Sequence, residues 1–397
     1  MTKHSSIASV DITTIALPAI GARLHSDGKE PLLQVRHIIK IKTNDGITGL
    51  GDIGPRATKN QLVNFGAGII GEDVFQLDRI QRKIRSAKFY RMDLAIASAG
   101  FEMACLDIIG QIIERPMGSL LGGTSRDYIS LIGYLYRREA GADSAPIKTS
   151  EDVVSAAESM NRTYGFETWK LKAGANEVTT DIETMQMLRD KFPNHKLRID
   201  PNGAWAQTTA ITAARHLMPL DLEWVEDPVL GIEAMATFNQ RTTIPTATNM
   251  CCIEPSQFPA AVRLHAMDVM LLDLWYLGGP WSARLMASTC QSFGLEVGIH
   301  AGGGSPETGI GLAAELHLAS AIPALTHASD TAYFELAEDI IEGPRFHPQN
   351  GRLRVPEGTG LGVTLDEDAL ARAAERYSKN HEILEASSRI FPPYPLF

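Results

Sequence analysis

From residue 128 onward the chain repeats one pattern, a short apolar run that ends in polar residues and is followed by a helical stretch. The runs end at Ile132-Gly133-Tyr134, Lys170-Leu171-Lys172, Arg198-Ile199-Asp200, Trp224-Val225-Glu226, Ala247-Thr248-Asn249, Leu271-Leu272-Asp273, Gly298-Ile299-His300 and Ala328-Ser329-Asp330. The steps from 172 to 200, 226, 249, 273, 300 and 330 are 28, 26, 23, 24, 27 and 30 residues. Neighbouring parallel strands require a crossover of a dozen or more residues, usually a helix, and such crossovers share one hand. This period therefore predicts eight βα units closed into a barrel, with the active site on the face made by the strand C-termini.

The residues before this region follow a different rule. Ile7 to Leu17 reads as a strand, and Leu32 to Lys42 and Ile47 to Asp52 flank Asn44-Asp45-Gly46, a hairpin signal because those residues tolerate positive φ. Met92 to Glu114 has apolar residues at three-and-four spacing, so a helix follows the strands. Strands first and helices afterwards make an α+β unit. The expected fold is thus an α/β barrel, TIM-like and of the modified (β/α)7-8 kind, with an α+β capping domain. Expected boundaries are 1–127 for the cap, 128–345 for the barrel, and 346–397 for a segment that returns to the cap through a helix at Asp366 to Tyr377.

Composition excludes some functions. With 44% hydrophobic and 21% charged residues the chain is globular in type. A net charge of -10 and no long basic cluster argue against nucleic acid or an anionic membrane as partner. Met1 to Val10 lacks the apolar stretch of a signal peptide, so a cytoplasmic location is expected. Cys105, Cys251, Cys252 and Cys290 show neither disulfide-framework nor zinc spacing, and reduced, buried thiols are expected.

Ionisable and amide groups at successive strand ends would converge on one ring, which is costly to bury without a ligand or metal. Asp200, Glu226 and Asn249 offer the oxygen ligands that hard cations prefer, and Mg²⁺ is the expected ion. Alone, such an Asp or Glu is as often a helix cap or an ion-pair partner. Lys170 and Lys172 are two apart on one strand and share its inward face. Two ammonium groups so close, near a divalent cation, should pull at least one pKa toward neutrality and so provide a general base. His300 and Asp273 end adjacent strands, where a carboxylate on one imidazole nitrogen fixes the tautomer of a second acid/base. Ala301-Gly302-Gly303-Gly304 lacks the spacing and lysine of a phosphate-binding loop.

Taken together, Lys170-Leu171-Lys172, Asp200-Pro201-Asn202-Gly203-Ala204-Trp205, Glu226-Asp227-Pro228, Ala247-Thr248-Asn249-Met250 and the Asp273 with His300 pair resemble the enolase superfamily. Within it they are most similar to the glucarate dehydratase group of the mandelate racemase branch. The resemblance implies abstraction of the proton next to a metal-bound carboxylate by Lys172 or His300, with Lys170 stabilising the resulting charge. Loss of the β-hydroxyl would follow, with His300 as proton donor, giving a 2-keto-3-deoxy acid. It further implies that Tyr134, Asn202 and Asp330 contact the substrate, and that the loop Pro18 to Pro31, carrying His25 and Lys29, closes over it.

At the far end of the pocket the group carries Asn, His and Thr where this chain has Gly302, Ala332 and Ala99, and its C-terminal arginine has no counterpart here. That implies an acid sugar, aldarate or aldonate, other than glucarate, or one bound the other way round. The expected partner is this small molecule, and a homo-oligomer is expected. A racemase, epimerase or cycloisomerase uses the same pair of bases. A Schiff-base aldolase on Lys170 or Lys172 and a non-catalytic paralogue are the remaining alternatives.

Overall fold

A computed structural model describes residues 5–26, 28–85, 91–141 and 144–388, without the side chains of 91–93 and 385–388. The first four residues read above for a signal peptide and residues 389–397 of the expected C-terminal segment lie outside it. The cap is a three-stranded antiparallel sheet of Ile7–Pro18, Leu33–Thr43 and Thr48–Ile53, with Leu33–Thr43 in the centre. Its second hairpin turns where the sequence indicates. Gly46 has φ 91°, and the Gly46 amide donates to the Thr43 carbonyl at 3.0 Å.

The helix Arg91–Ile112 lies on this sheet, and glycines set the separation. A Cβ on Gly51 would stand 2.0 Å from the Gly100 carbonyl oxygen, and one on Gly49 would stand 2.1 Å from that of Ala104. Both obstacles are backbone, which cannot swing aside. Gly51→Ala is therefore expected to destabilise the chain by at least the roughly 1–3 kcal/mol typical of overpacking, read as a lowered urea midpoint; an unchanged midpoint contradicts this packing. The segment Leu94–Ile112 is long and apolar enough to cross a membrane, but it is 83% buried within the fold and reads as a core helix.

The barrel sheet has seven parallel strands: Gly133–Leu135, Thr168–Lys172, Lys196–Asp200, Trp224–Glu226, Thr246–Thr248, Val269–Asp273 and Glu296–His300, adjacent in that order. The eighth expected strand is a correction. Ala328-Ser329-Asp330 makes one parallel bridge, Leu131 to Ser329, and a few single bonds. Ser329 N donates to Ser130 O (2.8 Å), Ile132 N to Ser329 O (3.0 Å), and Asp330 N to Ile299 O (3.1 Å). The segment thus links the first strand to the seventh without pairing as a strand. It carries no β-branched or aromatic residue to favour one.

The loop Pro18 to Pro31 is also more ordered than expected. Ala22–His25 pairs with Gly28–Lys29 and, on its other side, with Arg138–Glu139 after the first barrel strand. The C-terminal helix runs Glu367–Ser388, well past Tyr377, since no Gly or Pro interrupts it. It packs on the first cap strand, and Arg376 donates to the Ala16 carbonyl at 3.0 Å. All four cysteines are buried and unbridged.

Candidate active site

Strand register brings the polar ends together. In the parallel ladders Tyr134 lies beside Lys170, Lys172 beside Asp200, and Asp273 beside His300. Alternation along Thr168–Lys172 turns Lys170 and Lys172 to the same interior face. The Lys170 ammonium is fully buried. It touches Glu226 Oε2, lies 2.7 Å from Asp330 Oδ2 and 3.7 Å from Asp200 Oδ2. Lys172 Nζ donates to Asp200 Oδ2 at 2.5 Å and to Asn202 Oδ1 at 3.1 Å. Tyr134 OH donates to Asp330 Oδ2 at 2.8 Å, and both ammonium groups sit over its ring.

These contacts set the charge state of the two lysines. Burial lowers the pKa of each lysine, but for Lys170 the carboxylates of Asp330, Glu226 and Asp200 outweigh it, and for Lys172 those of Asp200 and Glu226 do. Both values are raised. Mutual repulsion of the lysines is the smaller effect, because register sets Asp200 beside Lys172 while Glu226 and Asp330 reach Lys170 from farther round the barrel.

The carboxylates respond in opposite directions. Burial alone would raise Asp200, but Lys172 and Lys170 hold it below its usual range. Glu226 is held well above its ordinary value by burial and by Asp200, and Lys170 does not offset them. Among the described residues, Glu226 Oε1 and Asn249 Oδ1 are buried without a hydrogen-bond partner. Glu226 Oε2 meets Lys170 as an ion pair without hydrogen-bond geometry. Two buried carboxylates that meet one ammonium, and a buried amide oxygen without a hydrogen bond, are oxygen donors of the kind a hard divalent cation prefers. Ligand atoms of Glu226, His300 and Asp330 also lie within 4.8 Å of one another.

His300 and Asp273 meet as expected, with Nδ1 2.8 Å from Oδ2. The Asp273 carboxylate is further held by the amides of Trp275 (2.7 Å), Tyr276 (2.9 Å) and Gly303 (3.1 Å). It is therefore fixed independently of the histidine it orients. Tyr276 stacks on the imidazole, 5.9 Å between centroids.

Residues 152–369 match the family described as Enolase C-terminal domain-like, and residues 28–122 match the Mandelate racemase / muconate lactonizing enzyme, N-terminal domain. The chain belongs to the enolase superfamily, in its mandelate racemase branch. A probable glucarate dehydratase of Streptomyces coelicolor is 32% identical, over 95% of this chain and 93% of that protein. A chloromuconate cycloisomerase of Cupriavidus pinatubonensis is 28% identical, over 86% and 92%. The solved structure of an enolase from Thermobispora bispora, complexed with magnesium and formate, superposes with a TM-score of 0.89 at 35% identity, covering 94% and 93%.

Some expected site residues stand at the edge of this cluster. His25 Nε2 lies 2.6 Å from Glu30 Oε1, and its ring packs edge-on to Tyr136, which in turn stacks on Tyr134. The hairpin thereby reaches the site through two tyrosines. Lys29 is not brought in. Its half-exposed ammonium pairs with Glu139 because the short hairpin turns it to the outside. Asn202, at φ 51°, also touches Met250 Sδ (3.7 Å).

Gly302, Ala332 and Ala99 are buried. Gly302 has a φ of 73°, a conformation that favours glycine, and a Cβ there would stand 2.9 Å from Glu307 Oε2.

Two further groups were not singled out from the sequence. Asp227, at φ 38°, accepts from Thr248 Oγ1 (2.5 Å) and the Asn249 amide (3.1 Å), and so sets the strand end that carries Asn249. Its place inside the Glu226-Asp227-Pro228 motif was the available signal. Arg36 and Asp52 form a fully buried pair that joins cap to barrel. Arg36 donates to Asp52 Oδ1 (2.7 Å) and to the Gly302 carbonyl (3.0 Å), and Asp52 Oδ2 accepts from the Thr308 amide (2.9 Å). The cap thus holds the turn that follows His300.

Proposed function

We propose that this chain dehydrates an acid sugar, removing the proton α to a carboxylate and expelling the β-hydroxyl. The enol so formed tautomerises to a 2-keto-3-deoxy acid, with water as the other product. The observation that supports this most is that two separate acid/base units, Lys172 with Asp200 and Asn202, and His300 with Asp273, end strands that converge on one buried carboxylate cluster.

Asp200, Glu226 and Asn249 are the residues that would hold Mg²⁺. Bound there, the ion would draw electron density from the substrate carboxylate and acidify the α C–H bond. Lys172, whose proton is held by carboxylates that a cation on Asp200 and Glu226 would offset, takes the α-proton in its neutral form. Lys170, fixed by Asp330, keeps its charge and donates to the carboxylate oxygen on which negative charge develops. His300, oriented by Asp273, protonates the departing hydroxyl. Tyr134, Asn202, Asp330 and His25 complete the contacts with the substrate. Lys29, paired outside, drops from this set. The small residues Gly302, Ala332 and Ala99 favour an acid sugar other than glucarate.

The cycloisomerase relative favours a second reading, in which the same bases serve racemisation or cycloisomerisation. Product chemistry separates the two. Purified protein with Mg²⁺ is expected to convert a member of a library of mono- and diacid sugars to a semicarbazide-reactive 2-keto acid, with EDTA abolishing and Mg²⁺ restoring the reaction. Conversion without such a product supports the second reading, and neither turnover nor α-proton exchange in D₂O on any member overturns both.

A further inference from the structure

The barrel closes through a segment that is not a strand, yet that segment carries Asp330, on which Lys170 and Tyr134 both depend. Single backbone bonds tie Ser329 and the Asp330 amide to the first and seventh strands, but they leave the Asp330 carboxylate to be held by other means. We infer that Arg198 is a positioning residue that locks the closing segment 328–330 from inside the barrel and so fixes Asp330, Lys170 and Tyr134 relative to one another. As a statement about activity, this rests on the reading that the strand-end residues are the reacting groups.

Arg198 lies on the third barrel strand and is 1% exposed. Its guanidinium packs over the Trp224 ring, 3.8 Å from the centroid, beside a small apolar cluster of Trp224, Ala247, Val269 and Leu271. A charge placed there needs its donors matched. Nε donates to Glu223 Oε2 at 2.6 Å. NH1 donates to Asp330 Oδ1 at 3.2 Å, and NH2 to the Ala328 carbonyl at 3.0 Å. Two of these bonds therefore go to the closing segment, one to its backbone and one to its functional carboxylate.

Asp330 is shared between two groups. With Oδ1 taken from the barrel interior, its Oδ2 is left for Lys170 (2.7 Å) and Tyr134 (2.8 Å). Glu223 anchors the other end, since its Oε1 lies 2.7 Å from Lys196 Nζ and 2.8 Å from His327 Nδ1. The arrangement needs a rigid fork with donors in several directions, which arginine has and lysine lacks.

The test is Arg198→Lys, which keeps the charge and loses the fork. Amide hydrogen exchange is expected to quicken several-fold at 328–331 while the rest of the barrel keeps its protection. For the acid sugar the wild type converts, kcat is expected to fall by roughly 10–100-fold, the usual cost of losing a group that orients a functional one, with KM little changed. Glu223→Gln, which leaves Arg198 in place and loosens its anchor, should give a smaller rise at the same amides and decides the matter if Arg198→Lys does not fold. Exchange that rises across the whole barrel, or not at all at 328–331, overturns the inference, because a residue serving core stability alone behaves in the first way. If the wild type converts no acid sugar, the functional proposal falls, and the exchange pattern alone decides the role of Arg198.

Discussion

Lys172→Ala and His300→Asn are each expected to lower turnover by roughly 10²–10⁴-fold, the range supplied by a positioned general acid or base, with the circular dichroism spectrum unchanged. Neither change leaves a buried partner stranded. Without Lys172, Asp200 still accepts from the Asn202 amide at 2.9 Å and has Lys170 at 3.7 Å. Without the imidazole, Asp273 keeps the amides of Trp275, Tyr276 and Gly303. The two variants should nevertheless differ. If Lys172 takes the α-proton and His300 serves the leaving hydroxyl, His300→Asn still exchanges the α-proton in D₂O while making little product, and Lys172→Ala does neither. Unchanged turnover in either variant removes that residue from the mechanism, and exchange that survives only in Lys172→Ala reverses the two roles.

Asp200→Asn and Glu226→Gln are expected to abolish the response to magnesium as well as the activity. A ligand that binds only the folded chain stabilises it by RT ln(1 + [L]/Kd), about 2.7 kcal/mol at a hundredfold excess over Kd. The wild type should therefore melt at a higher temperature as Mg²⁺ is added, and the two variants should not. Each substitution replaces a carboxylate oxygen, the donor a hard cation prefers, by an amide that carries no charge. Calorimetric scans across a magnesium series read this without any substrate. A wild type whose melting temperature is indifferent to magnesium sinks the assignment of Asp200, Glu226 and Asn249 as its ligands.

What could be read in advance follows the range of the physics. Side-chain alternation has a period of two residues and a βα unit a period of twenty-odd, so the barrel, the inward pair Lys170 and Lys172, and the strand-end positions of Asp200, Glu226, Asn249, Asp273 and His300 were legible in linear order. The cap hairpin at Asn44-Asp45-Gly46 was legible for the same local reason, a turn that needs positive φ. Lys29 was misplaced because the hairpin's twist and its neighbour Glu139, far along the chain, decide where its side chain goes.

The sequence by itself determined the fold class and which residues stand at the tips of neighbouring strands, because periodicity and turn chemistry act over a few residues. Only the tertiary structure decided the charge balance and the closure. The lysine pKa values rise because Asp330, Glu226 and Asp200 arrive from other strands, and Coulomb energies depend on distances in space that no spacing along the chain reveals. At the eighth position Arg198, 132 residues before Asp330, bonds to the closing segment across the barrel interior. A contact of that range depends on the whole sheet having formed, and nothing in the local sequence at either end announces it.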